Sequence, residues 1–227
     1  MTKSKKLPVI LIIYTVCLFA VWAVYTLAVK PLICDALGEE TFISSIIRSG
    51  IIKNLVWTIP AAILVSKYRE SCLVSLKDMF TKAAKGWQMW LLIFPIFTLY
   101  VVISAFRTHG GIGIVDTFGV DDIITVIFVG LTEEMVFRGW LLNATVNEDD
   151  TPKRQYIAIA LNALVFLCIH FPIWISRGQF ISSFTSLGFV SILALSVVFS
   201  FAFVRTRNII IPIALHMFWD LLIFMLI

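Results

Sequence analysis

Charge is scarce in this chain. Asp, Glu, Lys and Arg make up 14% of its 227 residues, against about 25% in soluble domains, which excludes a water-soluble globular fold. Cysteine is scarce as well: Cys17, Cys34, Cys72 and Cys168 form no CxxC pair, so neither a disulfide framework nor a thiolate metal centre is implied. No serine sits in a G-x-S-x-G elbow, no HExxH occurs, and no glycine-rich loop leads from a strand into a helix. Serine-elbow hydrolases, zincins of that signature and nucleotide-binding folds therefore lack support. Internal repeats are missing too, which weighs against the repeated halves of many transporters.

Apolar residues fill the space. They reach 60% of the chain, with a mean hydropathy of +0.98, and the expected fold class is all-α: a polytopic membrane helix bundle of about seven transmembrane helices. Runs long enough to span a bilayer at about 20 residues each fall near 7–29, 51–66, 88–106, 123–145, 156–175, 184–204 and 209–227. The first follows three lysines but is too long for a signal-peptide core and has no A-x-A site after it, so it reads as an uncleaved anchor. Placing the amino terminus in the cytoplasm puts 12 of the 18 lysines and arginines there, Lys3, Lys5 and Lys6 among them, and only Lys30, Arg107 and Arg177 outside. Arg48, Lys53 and Arg138 lie within or beside spans. This bias favours that orientation, with Ile227 outside, through the positive-inside rule. It also accounts for the +4 net charge, so no nucleic-acid partner is expected. Trp87, Trp90, Trp140 and Trp174 fall near helix ends and suit an interfacial aromatic belt or, equally, lipid-facing bulk.

Two connections stand out. Residues 67–86 form the long cytoplasmic one and mix Val74, Leu76, Met79 and Phe80 with basic residues, the composition of an amphipathic helix on the inner leaflet or of a solvated loop. Residues 107–122 form a glycine-rich outer loop that reads as flexible. That loop divides the chain into an N-terminal three-helix membrane scaffold, 1–120, and a catalytic four-helix unit, 121–227, where the intramembrane acids and histidines lie.

Within Ile123 to Leu142, Glu133 and Glu134 stand side by side with Arg138 shortly after. At a helix centre these three cost on the order of 8–10 kcal/mol to insert, while the segment's apolar side chains return only about 3–7. The helix needs polar partners from its neighbours, and a functional site is the default hypothesis. Glu134 and Arg138, four apart, share a face and suit a buried supporting ion pair. That leaves Glu133 as the free carboxylate.

Taken singly, His170 reads as an interhelical hydrogen-bonder, and His216 with Asp220 one turn on reads as an imidazole oriented by a carboxylate. Taken together, Glu133, His170, His216 and Asp220 form a candidate catalytic set for hydrolysis: a base for water, an imidazole to hold it and another to stabilise an oxyanion. Two histidines and a glutamate also suit zinc with an open position, so metal-bound and metal-free chemistry both stay open, and the expectation is no tightly bound zinc. Intramembrane acids and histidines also build proton relays, so a proton-coupled transporter is an alternative.

Three motifs carry a family resemblance. LTEEMVFRGWLL holds an EExxxR pattern on Glu133, Glu134 and Arg138, FLCIH holds FxxxH on Phe166 and His170, and RTRNIIIPIALHMFWD ends in HxxxD on His216 and Asp220. Together they resemble the CAAX protease and bacteriocin-processing (CPBP or Abi) family of intramembrane proteases, over about residues 121–224. The resemblance implies an all-α membrane endopeptidase acting on a peptide or membrane-protein substrate at the bilayer, with Glu133 as water-activating base. It also implies that Asp220 stands where the family has Asn or Asp; an Asn amide can donate to an oxyanion, whereas an ionised Asp220 can only accept. Small bacterial members imply a role in bacteriocin self-immunity or peptide processing, and a non-catalytic immunity protein is the other reading. Oligomeric state has no signal in the sequence.

Overall fold

The computed structural model describes residues 6–38, 41–186 and 188–226. Lys3, Lys5 and Ile227, used above to orient the chain, lie outside the described residues. Each apolar run falls on one helix: α1 (Leu7–Leu37), α2 (Phe42–Lys67), α3 (Trp87–His109), α4 (120–145), α5 (Pro152–Ser176), α6 (Gly188–Thr206) and α7 (Ile210–Met225). No β-strand occurs among the described residues. Five helices, α1, α2, α3, α5 and α6, are long and apolar enough to cross a bilayer, and α7 is a shorter apolar helix. With α4 interrupted by its charged trio, the chain is a multi-pass, all-helical membrane protein.

Helix boundaries follow local chemistry. The Thr151 hydroxyl accepts from the Arg154 N–H at 3.4 Å ahead of Pro152, which opens α5. Gly110, left-handed at φ 75°, ends α3. The Gly119 N–H donates to Asp122 Oδ2 at 3.0 Å where α4 begins, and Asp121 and Asp122 complement the helix dipole there.

The segment between α2 and α3 does not form an amphipathic helix on the leaflet. Only Leu76–Thr81 is α-helical, while Cys72, Val74 and Met79 are buried in the protein. The Val74 N–H donates to Asn143 Oδ1 at 2.8 Å, Asn143 Nδ2 donates back to the Val74 carbonyl at 2.8 Å, and the Ile209 N–H donates to the Met79 carbonyl at 2.8 Å. A buried apolar seat with paired backbone groups is better than a half-wet interface. Arg207 reaches Glu148 at 2.8 Å, so the three connections expected in the cytoplasm share one end of the bundle. At the opposite end, the glycine-rich loop is anchored: the Val115 N–H donates to the Met225 carbonyl at 3.0 Å.

The aromatic belt also needs correction. Trp140 is fully buried, edge-on to Tyr14 and beside Tyr68, and Trp174 is buried against Phe184, whereas Trp87 is exposed. α1 and α2 cover the face of α4 that carries Trp140, so that ring never meets lipid.

Two glycines set the approach of helices to α4. A Cβ on Gly130 would meet Met217 Cγ at 2.7 Å, and one on Gly50 would meet the Phe128 ring at 3.1 Å. Without side chains there, α7 and α2 come close enough to bring His216 and Lys53 to the acidic pair.

Candidate active site

Glu133, Glu134, Arg138 and His216 are all buried. Arg138 Nη1 donates to Glu134 Oε1 at 2.9 Å, the pair implied by the i, i+4 spacing. Its Nη2 donates to the Ser196 carbonyl at 2.9 Å and hydroxyl at 2.7 Å on α6, and the guanidinium lies over Phe166 and Phe199 at 4.7 and 5.5 Å. The same Glu134 oxygen accepts from His216 Nδ1 at 2.7 Å. One carboxylate oxygen thus ties α4 to α7, and through Arg138 to α6.

Glu133 is not free. Lys53 on α2 donates Nζ to Glu133 Oε1 at 2.8 Å, with both side chains buried. The ammonium is held 5.2 and 4.9 Å from the Trp22 and Trp57 rings, cation–π contacts that steady it in an apolar setting. Glu133 Oε2 lies 3.9 Å from His216 Nε2, beyond a direct hydrogen bond. The expected orientation of His216 by Asp220 is only part of the picture: Asp220 Oδ2 stands 3.5 Å from Nε2, while Glu134 makes the short contact on Nδ1.

Carbonyls and carboxylates only accept, so each histidine keeps its proton on Nδ1. His170 gives it to the Phe166 carbonyl at 2.7 Å, four residues earlier, and His216 gives it to Glu134. In the neutral imidazoles Nε2 is the nitrogen left for chemistry. Phe199 stacks on the His216 ring at 5.0 Å, and Phe166 meets the His170 ring edge-on at 5.0 Å. Both rings are held in place.

Glu133, His170, His216 and Asp220 line a single cavity of about 290 Å³, and Lys53 lines it with them. Glu134 and Arg138 stand behind it. Lys53 was missed in the sequence as part of the site; its signal was a lysine inside an apolar run, the same intramembrane-charge rule that singled out Glu133. Ser196 gave no signal at all, since a serine in a membrane helix usually bonds its own backbone.

Among the described residues no group of three His, Cys, Asp or Glu side chains is arranged to hold a metal ion. The donor set as placed does not fit a divalent ion, because the Lys53 ammonium already sits on Glu133 Oε1 and would repel a second cation there.

Fold and site together define a polytopic helical membrane protein with a buried centre of carboxylates, imidazoles and one lysine. Residues 117–222 match the family model of Rce1-like proteins, described as type II CAAX prenyl endopeptidase Rce1-like. This is the CAAX protease family that the three motifs resemble, and the match spans all of them. No curated protein and no solved structure matches the chain.

Proposed function

We propose that this protein is an intramembrane endopeptidase of the CAAX protease type, in which Glu133 draws the proton from a water that attacks a peptide carbonyl. The observation that carries the reading is the convergence of Glu133, His170 and His216 on one cavity, from α4, α5 and α7. Lys53 neutralises Glu133 Oε1 and leaves Oε2, on the His216 side, to accept the proton. With their protons on Nδ1, His170 and His216 offer Nε2 to the water as acceptors. Neither those nitrogens nor an ionised Asp220 can donate to the oxyanion that forms, and Lys53, the cation in the cavity held against Glu133, is the donor assigned to that part.

The division of labour in this reading places the chemistry in 121–227 and the support in 1–120, with Lys53 as the scaffold's own contribution to the site. The amino terminus is placed in the cytoplasm by the 12-to-3 distribution of basic residues. The role proposed for this hydrolysis is the processing of membrane-associated peptides or proteins, bacteriocin self-immunity among them.

The test is Glu133→Gln in protein reconstituted into liposomes, with cleavage of a peptide mixture followed by mass spectrometry. Gln keeps the size of the side chain and loses the base, so rates should fall about 10² to 10⁴-fold with the fold intact. A folded Glu133→Gln protein that cleaves at the wild-type rate refutes the mechanism.

A further inference from the structure

Two tryptophans face the Lys53 ammonium, and they are not equivalent. Trp57 offers its ring alone: the centroid lies 4.9 Å from Nζ, and its Nε1–H is buried with no hydrogen-bond acceptor among the described residues. Trp22, 5.2 Å from Nζ, also donates Nε1–H to the Ile169 carbonyl on α5 at 3.2 Å. Tyr25 stacks on the Trp22 ring at 5.2 Å and Trp57 meets it edge-on at 4.8 Å, so the ring is clamped between neighbours as well as tethered.

The tether depends on a break in α5. In an unbroken helix the Ile169 carbonyl would take the N–H four residues on. Ahead of Pro172 the helix instead gives way to a turn at Ile169 and His170, where the His170 N–H bonds three residues back to the Leu167 carbonyl at 3.0 Å. Two carbonyls beside the break serve side chains: Phe166 takes the proton of His170 Nδ1, and Ile169 takes that of Trp22. A chain of contacts therefore runs from the segment that carries His170, through Trp22 on α1, to Lys53 and its 2.8 Å bond to Glu133. Trp22 and Lys53 both lie outside 117–222, the residues that the family model matches.

We propose that Trp22 is a positioning residue, which fixes the Lys53 ammonium against Glu133 Oε1 by anchoring its own ring to α5. Lysine ends a flexible four-carbon stem, and a ring face steers an ammonium only while the ring itself is held. Trp22 also lines the cavity, so a role in packing against substrate is the alternative that the test must separate. The effect on turnover rests on the endopeptidase reading, whereas the hold on Lys53 does not.

The experiment compares the full-length wild type with Trp22→Phe, Trp22→Leu and Trp57→Phe, each alone and the Trp22 variants also with Lys53→Met. Trp22→Phe keeps a ring and loses the hydrogen bond, so kcat should fall about 3- to 10-fold. Trp22→Leu loses both and should fall about 10- to 50-fold, with KM within about twofold in either variant. Trp57→Phe gives up part of a ring's attraction and no hydrogen bond, and should lose less than Trp22→Phe. In the Lys53→Met background both Trp22 losses should shrink to under about threefold, because the group they act through is gone. Independently of turnover, a short pulse of acetic anhydride read by mass spectrometry should acetylate Lys53 at least about fivefold faster in both Trp22 variants than in wild type, relative to exposed Lys77. Loss falling mainly on KM makes Trp22 a substrate wall and overturns the proposal. So do losses that multiply with Lys53→Met, a Trp57→Phe loss as large as that of Trp22→Phe, or unchanged acetylation of Lys53. Faster acetylation in the variants of a protein whose wild type cleaves nothing supports the hold on Lys53 and refutes the endopeptidase reading alone.

Discussion

Replacing Arg138 by alanine tests how the buried centre is held together. The guanidinium is fully buried and donates three hydrogen bonds, one to Glu134 and two to Ser196. Its loss leaves Glu134 buried with His216 as its remaining short contact. Breaking a buried pair by removing one partner costs about 3–5 kcal/mol, mostly from the charge left behind. For a chain of this size each kcal/mol moves the melting temperature by about 2–4 °C, so Arg138→Ala should melt roughly 6–20 °C below wild type. Tryptophan fluorescence during heating in detergent reads this directly. The double variant Glu134→Gln/Arg138→Met removes both charges and should regain at least half of the lost stability, since paired removal is far cheaper than single removal. Arg138→Lys should recover only part, because a lysine cannot span Glu134 and Ser196 with a planar fork. An Arg138→Ala protein melting within about 2 °C of wild type, or a double variant no better than the single, would show that the pair is not what secures α4.

Three further outcomes follow from the same geometry. Lys53→Met should lower kcat about 10- to 100-fold, the worth of a charge-assisted hydrogen bond, with KM within about twofold and partial rescue by Lys53→Arg; equal loss in both variants would make the role one of packing. Cysteine at position 116 should label in intact cells and cysteine at position 78 should not, and the reverse pattern inverts the chain in the membrane. Purified protein is expected to hold no tightly bound zinc, because Lys53 sits on Glu133; about one equivalent by elemental analysis, lost in both His170→Ala and His216→Ala, contradicts that.

Much of the framework is legible in the sequence because membrane insertion acts on composition alone. Seven apolar runs locate seven helices to within several residues, the largest differences being α1, which runs on through Lys30 and Asp35 to Leu37, and α2, which begins at Phe42. The i, i+4 spacing of Glu134 and Arg138 is local, so their shared face could be read directly. What escaped depends on contacts between distant segments. Lys53 and Glu133 are 80 residues apart, and Glu134 and His216 are 82 apart. Nothing in either local pattern says that Glu134 rather than Asp220 takes His216 Nδ1. Trp140 was misplaced for a related reason: a tryptophan at a helix end looks the same in sequence whether its face meets lipid or α1 and α2.

The partners of α4 impose an order on how the protein is made. Lys53 on α2 is already synthesised when Glu133 emerges, but Ser196 and His216, which complete the surroundings of Arg138 and Glu134, belong to α6 and α7 and come from the ribosome later. Until then α4 carries an incompletely satisfied charged pair that lipid would not accept. Its stable integration has to wait for the C-terminal helices, so a lesion in α7 should act on biogenesis at a distance, leaving α4 exposed to quality-control proteolysis before any catalytic defect can be seen.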